Sequence, residues 1–245
     1  IRVEKTQTPK AKPAKGEEIG FGTHFTDHMF IMDYDADQGW HDARIVPFGP
    51  VMMHPGSTIL HYGAGAFEGM KAYRKADGTC QLFRPEENAK RMERSIDRLC
   101  LPHLDAETIL DVIERFVAFE QDWVPSEKGE SLYIRPYEFG CDEPIGLHTI
   151  KKAKFMIITC PVGNYYKEGL KPVKIAIEEH DVRAVRGGTG DSKVGGNYAA
   201  SNRAEAVAEE NGFTQVLWLD GVHQKYIEEV GSMNVMFKIN GEVIT

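Results

Sequence analysis

The chain has 245 residues, and its 29 Lys+Arg against 37 Asp+Glu give a formal net charge of −8. Hydrophobic residues make up 42% and charged residues 27%, which excludes a disordered tail, a collagen-like fibre and a coiled coil. The acidic balance argues against non-specific nucleic-acid binding, which uses a basic surface. The length is typical of one large domain or two modest ones.

The cysteines and the apolar runs indicate the cellular compartment of the protein. Four cysteines lie far apart without a C-x-x-C pair, and the histidines lack metal-site spacing, so we expect free thiols and no bound metal. Residues 1–20 are rich in Lys, Pro and Glu and do not resemble a cleavable signal. The longest apolar run, residues 155–160, is too short to cross a membrane. We therefore expect a soluble, cytoplasmic protein.

Residue patterning predicts the elements of the first half. Strands are expected at residues 29–34, 44–48, 69–74 and 81–84, between Gly, Asp and Pro residues. A helix begins at Pro85, which suits the first turn, and its apolar residues recur at helical spacing until Pro102. A second helix is predicted from its N-cap, Asp105, to Trp123. Strands follow at residues 131–139 and 153–160.

The turn-rich segment 161–172 separates this half from the next. Beyond it we expect a strand at 173–178, a Gly-rich loop, a helix at about 199–211, and strands at 215–219, 225–229 and 234–239. Mixed helices and strands in hairpin-like succession predict an α+β fold. The predicted domains are an extended arm (1–20), a small domain (21–165), and a linker with an incomplete larger domain (166–245). Ligands are expected in the cleft between the two domains.

The most informative segment is residues 187–198, in which glycines surround Lys193. Glycines let the backbone approach a ligand closely. A phosphate-binding P-loop is excluded because Ser192 and Val194 stand where Gly and Ser or Thr are required. A flexible surface loop is the other alternative. An imine-forming lysine is favoured if a carboxylate and a phosphate-binding cation accompany it, and the candidates are Glu228 or Glu229, and Arg91.

Several motifs together resemble the branched-chain amino acid aminotransferases, which are fold-type IV pyridoxal phosphate enzymes. They lie in order at residues 21–29, 60–73, 82–85, 122–125, 131–136, 187–198, 215–220 and 228–234. The resemblance extends from about residue 20 to the last residue. It implies a small N-terminal domain, a larger C-terminal domain, and a homodimer.

The resemblance also implies the roles of the cofactor-binding residues around pyridoxal 5'-phosphate. Lys193 would hold the cofactor as a Schiff base and move the proton in catalysis. Glu229 would pair with the pyridine nitrogen, and because side chains alternate along a strand, Glu228 would then face away. The remaining cofactor-binding residues are Tyr198 for the phenolic oxygen, Arg91 for the phosphate, and Ser232 and Asn234 beside the ring.

For the substrates, the resemblance implies a pocket that accepts amino acids and 2-keto acids. Its residues would be Phe21, Tyr62, Phe67, Tyr133 and Arg135. Aromatic walls would select the side chains of leucine, isoleucine and valine, since each buried methylene contributes about 0.8 kcal/mol. A ping-pong reaction would then pass the amino group to 2-oxoglutarate, whose distal carboxylate Arg135 would address.

Two alternatives remain at this point. One is another fold-type IV enzyme, a D-amino acid aminotransferase or an aminodeoxychorismate lyase, which shares the lysine and the glutamate. The segments 21–29 and 131–136 favour the branched-chain group. The other is a truncated, inactive relative that serves as a binding module, because the chains of the family that it resembles continue well past residue 245.

Overall fold

A computed structural model describes residues 1–14, 17–163 and 171–245. The chain divides into two compact units, Ile1–Gly169 and Leu170–Thr245, and each is described here by itself. The predicted domain boundary at 165/166 lies outside the described residues, so the predicted domain ranges and the cleft between them stay predictions. Within the described ranges, no helix has the length and apolar character needed to cross a bilayer.

The first unit is built on an eight-stranded sheet in the order β1-β3-β2-β8-β7-β5-β6, with β4 paired to β7. Its strands are β1 (Arg2–Val3), β2 (His28–Asp35), β3 (Gly39–Pro47), β4 (Gly65–Phe67), β5 (Met70–Arg74), β6 (Cys80–Leu82), β7 (Ser131–Gly140) and β8 (Lys152–Val162). Neighbouring strands are antiparallel except β1 and β3. The predicted α+β class is confirmed.

The helices of this unit are α1 (Thr58–Tyr62), α2 (Pro85–Arg98) and α3 (Ala106–Phe119). The predicted start of α2 at Pro85 is confirmed. Asp105 caps α3 by accepting a hydrogen bond from the Thr108 amide at 2.8 Å. The prediction of one helix reaching Trp123 is wrong, because α3 ends at Phe119 and a separate 3₁₀ turn follows. The short helix α1 was not predicted.

The core of the first unit lies between the sheet and helices α2 and α3. Alternate residues of β7 face this side, and neighbouring strands and helices supply further apolar side chains. Its largest fully buried side chains include Phe30, Met92, Ile96, Ile109, Ile113, Phe116, Leu132, Ile134, Phe155 and Ile157. Glu138, which shares a face of β7 with Leu132 and Ile134, is buried as completely as they are.

The second unit has a three-stranded sheet in the order β11-β10-β9. Its elements are β9 (Ile175–Ile177), α4 (Gly195–Ala199), α5 (Asn202–Glu210), β10 (Gln215–Leu219), β11 (Ile227–Val230), and a hairpin of β12 (Phe237–Ile239) and β13 (Glu242–Ile244). Helix α5 packs Ala204 and Ala208 on Val216 and Trp218. The predicted bounds of β10 are confirmed, whereas β9, β11 and β12 differ from their predicted ranges by one to three residues at their ends.

The helix predicted at about 199–211 corresponds to α5, Asn202–Glu210, whereas the short helix α4 before it was not predicted. Helix α4 ends at Ala199, and α5 starts at Asn202. At the break, the Ser201 hydroxyl donates to the Tyr198 carbonyl at 2.9 Å, which satisfies a group at the end of α4. Local helix propensity does not reveal this break, because Ala200 and Ser201 are compatible with a continuous helix.

Candidate active site

The glycine-rich loop of the second unit is held by one buried side chain, Asn197. Its amide group donates to the carbonyls of Thr189 at 2.8 Å and Ser192 at 2.7 Å, and it accepts from the Thr189 hydroxyl at 2.7 Å. Gly190 lies so close to Ala184 that an added Cβ would be 2.6 Å from the Ala184 Cβ. This loop is therefore anchored to the rest of its unit.

Lys193 lies in the anchored loop between the buried residues Ser192 and Val194. Its Nζ donates to the Tyr198 hydroxyl at 2.6 Å and lies 4.9 Å from the centre of the Tyr198 ring. Tyr198 is placed there by α4, which begins directly after Val194. An amine and a phenol in direct contact can exchange a proton, as general acid–base chemistry requires.

Glu229 lies on β11 opposite Trp218 of β10. Its Oε2 is 2.6 Å from Nε of Arg183, and the two side chains are only 21% and 15% exposed. Burial raises the pKa of the Glu229 carboxyl, while the charges of Arg183 and Lys193 oppose that rise. The neighbouring Glu228 is exposed. The two glutamates therefore occupy different environments.

No local sequence pattern identifies Arg183 as a site residue. Arg186 lies three residues away, and nothing in the local pattern separates the two arginines. The structure distinguishes them, because Arg183 pairs with Glu229 while Arg186 is exposed. A half-buried glutamate does require a cationic or hydrogen-bonding partner, but the sequence alone does not say which residue supplies it.

The turn after β11 contains two of the predicted cofactor residues. Gly231 has φ +56°, and an added Cβ would overlap the Gln215 side chain. The Trp218 indole donates to the Gly231 carbonyl at 2.9 Å, which holds the turn on β10. Ser232 and Asn234 are exposed at this turn, and their roles stay predictions.

In the first unit, Arg91 on α2 forms a two-pronged ion pair with Glu68. Nε of Arg91 donates to Oε1 of Glu68, and Nη2 lies 3.0 Å from Oε2. The Glu68 side chain is completely buried, whereas that of Arg91 is 44% exposed. The same helix carries Arg91, Arg94 and Arg98, and the sequence does not distinguish which of them has a buried partner. This pairing was therefore not predicted.

The structure brings four of the predicted substrate residues together in the first unit. Nη2 of Arg135 donates to the Tyr133 hydroxyl at 2.7 Å, and the Arg135 guanidinium carbon lies 4.7 Å from the centre of the Phe67 ring. Phe21 meets Tyr133 edge to face at 4.9 Å. Tyr62 ends α1, and its exposed ring is 6.1 Å from that of His61.

The position of the Tyr133 hydroxyl also depends on a neighbouring glycine. An added Cβ at Gly69 would lie 2.2 Å from the Tyr133 hydroxyl oxygen, so only glycine leaves room for this hydroxyl. The result is an aromatic group with one cation beside it, a surface that accepts both apolar groups and a carboxylate.

Comparison with known proteins shows the family to which the chain belongs. The sequence model of the family described as "Amino-transferase class IV" matches residues 65–245. The chain belongs to the class IV aminotransferases.

Its relatives within that family carry a more specific name. "Branched-chain-amino-acid aminotransferase 2" of Bacillus subtilis (strain 168) is 54% identical over 245 residues, which are 100% of this chain and 67% of the relative. "Branched-chain-amino-acid transaminase 1" of the same strain is 50% identical over 246 residues, covering 100% of this chain and 69% of the relative. The predicted resemblance to branched-chain amino acid aminotransferases is confirmed.

A solved structure supports the fold. The branched-chain aminotransferase of the thermophilic archaeon Thermoproteus uzoniensis, determined with norvaline, matches with a TM-score of 0.69 at 24% identity. The match covers 88% of this chain and 67% of that one. The chain spans about two thirds of the length of the relatives it matches.

Proposed function

We propose that the protein is a transaminase that moves the amino group of leucine, isoleucine or valine to 2-oxoglutarate, or runs in the reverse direction. The observation that carries this proposal is the contact between the Lys193 amine and the Tyr198 hydroxyl, in the same unit as the Glu229–Arg183 pair. These groups belong to a chain whose relatives at 50% identity or more are named branched-chain aminotransferases. We also expect a cytoplasmic homodimer.

The residues present fit pyridoxal phosphate. Lys193 supplies a primary amine, Tyr198 a phenol at its side, and Glu229 a half-buried carboxylate balanced by Arg183. Arg91 supplies a forked guanidinium of the kind that recognises phosphate. When bound, this cofactor supplies an electron-accepting ring that carries the amino group from the first substrate to the second. Lys193, Tyr198, Glu229 and Arg91 would hold it.

Three of these residues, Lys193, Tyr198 and Glu229, would have distinct roles in the reaction. Lys193 would first remove the proton from the substrate α-carbon and then donate it to a different carbon atom, because a primary amine can act as a base and then as an acid. Tyr198 would keep that amine oriented through the 2.6 Å hydrogen bond. Glu229 would hold a proton on the pyridine nitrogen, and Arg183 would keep the carboxylate charged for that purpose.

The group formed by Phe21, Phe67, Tyr133 and Arg135 would select the substrates. The aromatic rings would bind branched aliphatic side chains, each methylene of which contributes about 0.8 kcal/mol when buried. Arg135, held between Phe67 and Tyr133, would bind the distal carboxylate of 2-oxoglutarate. One pocket would thus accept both partners of a ping-pong reaction.

A spectral experiment tests the proposal on the full chain. We expect pyridoxal phosphate to produce a visible absorption band that L-leucine bleaches and 2-oxoglutarate restores, while D-alanine leaves it unchanged. Lys193→Ala should abolish both the band and turnover, since alanine lacks the amine that forms the bond and moves the proton. Turnover by Lys193→Ala at the wild-type rate would contradict the role of this lysine. A response to D-alanine instead of L-leucine would support a different fold-type IV activity.

A further inference from the structure

Glu68 is a buried carboxylate that no part of the proposed reaction uses directly. It follows β4, and its backbone amide donates to the Pro136 carbonyl on β7 at 2.8 Å. Its side chain is 0% exposed. A charged group that is removed from water in this way is costly unless it is paired and hydrogen-bonded.

The carboxylate of Glu68 receives four donors. Arg91 binds both oxygens, the Asn88 amide donates to Oε2 at 2.9 Å, and the Gly69 backbone amide donates to Oε2 at 2.8 Å. Asn88 and Arg91 lie three residues apart on α2, so they project from the same face of that helix. Glu68 therefore fixes this face of α2 against the junction of β4 and β5.

The consequence for Arg91 is a fixed orientation with an accessible outer side. Its partner is completely buried, but 44% of the Arg91 side chain remains exposed. A long side chain that must become ordered when its ligand arrives loses binding free energy to conformational entropy. An arginine whose orientation is already set by a buried carboxylate avoids most of that loss.

We propose that Glu68 is a positioning residue for phosphate recognition, which fixes the orientation of the Arg91 guanidinium so that its exposed side meets the cofactor phosphate. The inference rests on the proposed function, because it takes pyridoxal phosphate as the ligand of Arg91. Positioning and simple electrostatics predict opposite effects. Removing a negative charge beside Arg91 would strengthen phosphate binding by charge alone, whereas loss of positioning would weaken it.

The test compares two ligands that differ only in the phosphate. Apo forms of the full-length wild type and of Glu68→Gln are titrated with pyridoxal 5'-phosphate and with pyridoxal, and the ratio of the two affinities is measured. At metal sites, removing a partner that orients a ligand-binding group lowers the affinity or activity on the order of 10- to 100-fold. We expect the preference for the phosphorylated ligand to fall about tenfold or more in Glu68→Gln, with pyridoxal affinity unchanged.

Glu87→Gln is the matched control, because Glu87 lies on the same helix in an exposed pair with Lys90 at 2.9 Å. It should leave the preference as in the wild type. If Glu68→Gln does not fold, as judged by circular dichroism, Asn88→Ala replaces it, since this change removes one donor to Glu68 but keeps the ion pair. A fall in the preference for the phosphorylated ligand in Asn88→Ala, smaller than the fall expected for Glu68→Gln, would then support the inference.

An unchanged or increased preference in the folded variant would overturn the positioning role of Glu68. A wild type that binds both ligands equally, or binds neither, would instead contradict the proposed function from which the inference starts. The two failures are therefore distinguished by the wild-type titration alone.

Discussion

Arg183 controls the charge of Glu229. Burial raises the pKa of the Glu229 carboxyl, and the nearby guanidinium of Arg183 opposes that rise. Without the arginine, the pKa would rise further, and the carboxyl would take up a proton more readily near neutral pH. A neutral carboxylic acid can no longer stabilise a protonated pyridine nitrogen. Under the proposed function, the arginine would therefore act on the cofactor through the glutamate.

We therefore predict that Arg183→Met weakens pyridoxal phosphate binding more at pH 6 than at pH 8. The loss at pH 6 should be on the order of tenfold, which corresponds to about 1.4 kcal/mol. Absorbance titrations at the two pH values measure it. Arg186→Met is the matched control, because Arg186 is exposed. Equal losses at both pH values would argue against a role in keeping Glu229 charged.

At the scale of elements, the start of α3 depends on Asp105. Its carboxylate accepts from the backbone amide of Thr108 at 2.8 Å and from the Thr108 hydroxyl at 2.8 Å. These hydrogen bonds, the one from the backbone amide first, lower the pKa of the carboxyl. The stabilisation is therefore complete above the ordinary Asp pKa of about 3.9 and is lost as the pH falls through the lowered value.

We expect Asp105→Ala to reduce the free energy of unfolding by about 1 kcal/mol at pH 7. Asp105→Asn is the control, since asparagine also caps helices but cannot titrate. This variant should retain most of the stability and lose only the part of the acid dependence that comes from Asp105. Urea unfolding at pH 3 and pH 7 provides both measurements. An alanine variant as stable as the wild type at pH 7 would show that the cap is not needed.

At the scale of the whole molecule, a buried acid makes stability depend on pH. Neither carboxylate oxygen of Glu138 has a hydrogen-bond partner among the described residues. Burial, with a smaller contribution from Asp97, raises the pKa of this carboxyl well above its ordinary value. The folded state therefore favours the protonated form. The contribution of Glu138 to stability is therefore most favourable below the unfolded pKa of about 4.3 and becomes less favourable as the pH rises toward the raised value.

We predict that Glu138→Gln makes the free energy of unfolding less dependent on pH between pH 5 and pH 8. At pH 8 the variant should exceed the wild type by on the order of 1 kcal/mol or more, because a buried unpaired charge costs more than a buried unpaired neutral amide. Urea unfolding at both pH values tests this, with Glu114→Gln on the exposed side of α3 as the control. If the two variants have the same pH dependence, Glu138 does not titrate in this range.

Local signals explain what could be predicted. Pro85 and Asp105 mark the starts of α2 and α3 because proline and aspartate satisfy the requirements of a helix N-terminus within a few residues. The bounds of the strand Gln215–Leu219 were also predicted from the local sequence. The break after Ala199 escaped prediction, because its residues have ordinary helix propensity.

The sequence by itself determined the family, the α+β class and the position of the lysine loop, since these depend on residue order and on short-range patterns. The tertiary structure alone decided which charges meet. It paired Glu229 with Arg183 and Arg91 with Glu68, and it left the carboxylate oxygens of Glu138 without a hydrogen bond among the described residues. The physical reason is that the energy of a charge depends on burial and on distant partners. Neither quantity exists until the chain has folded.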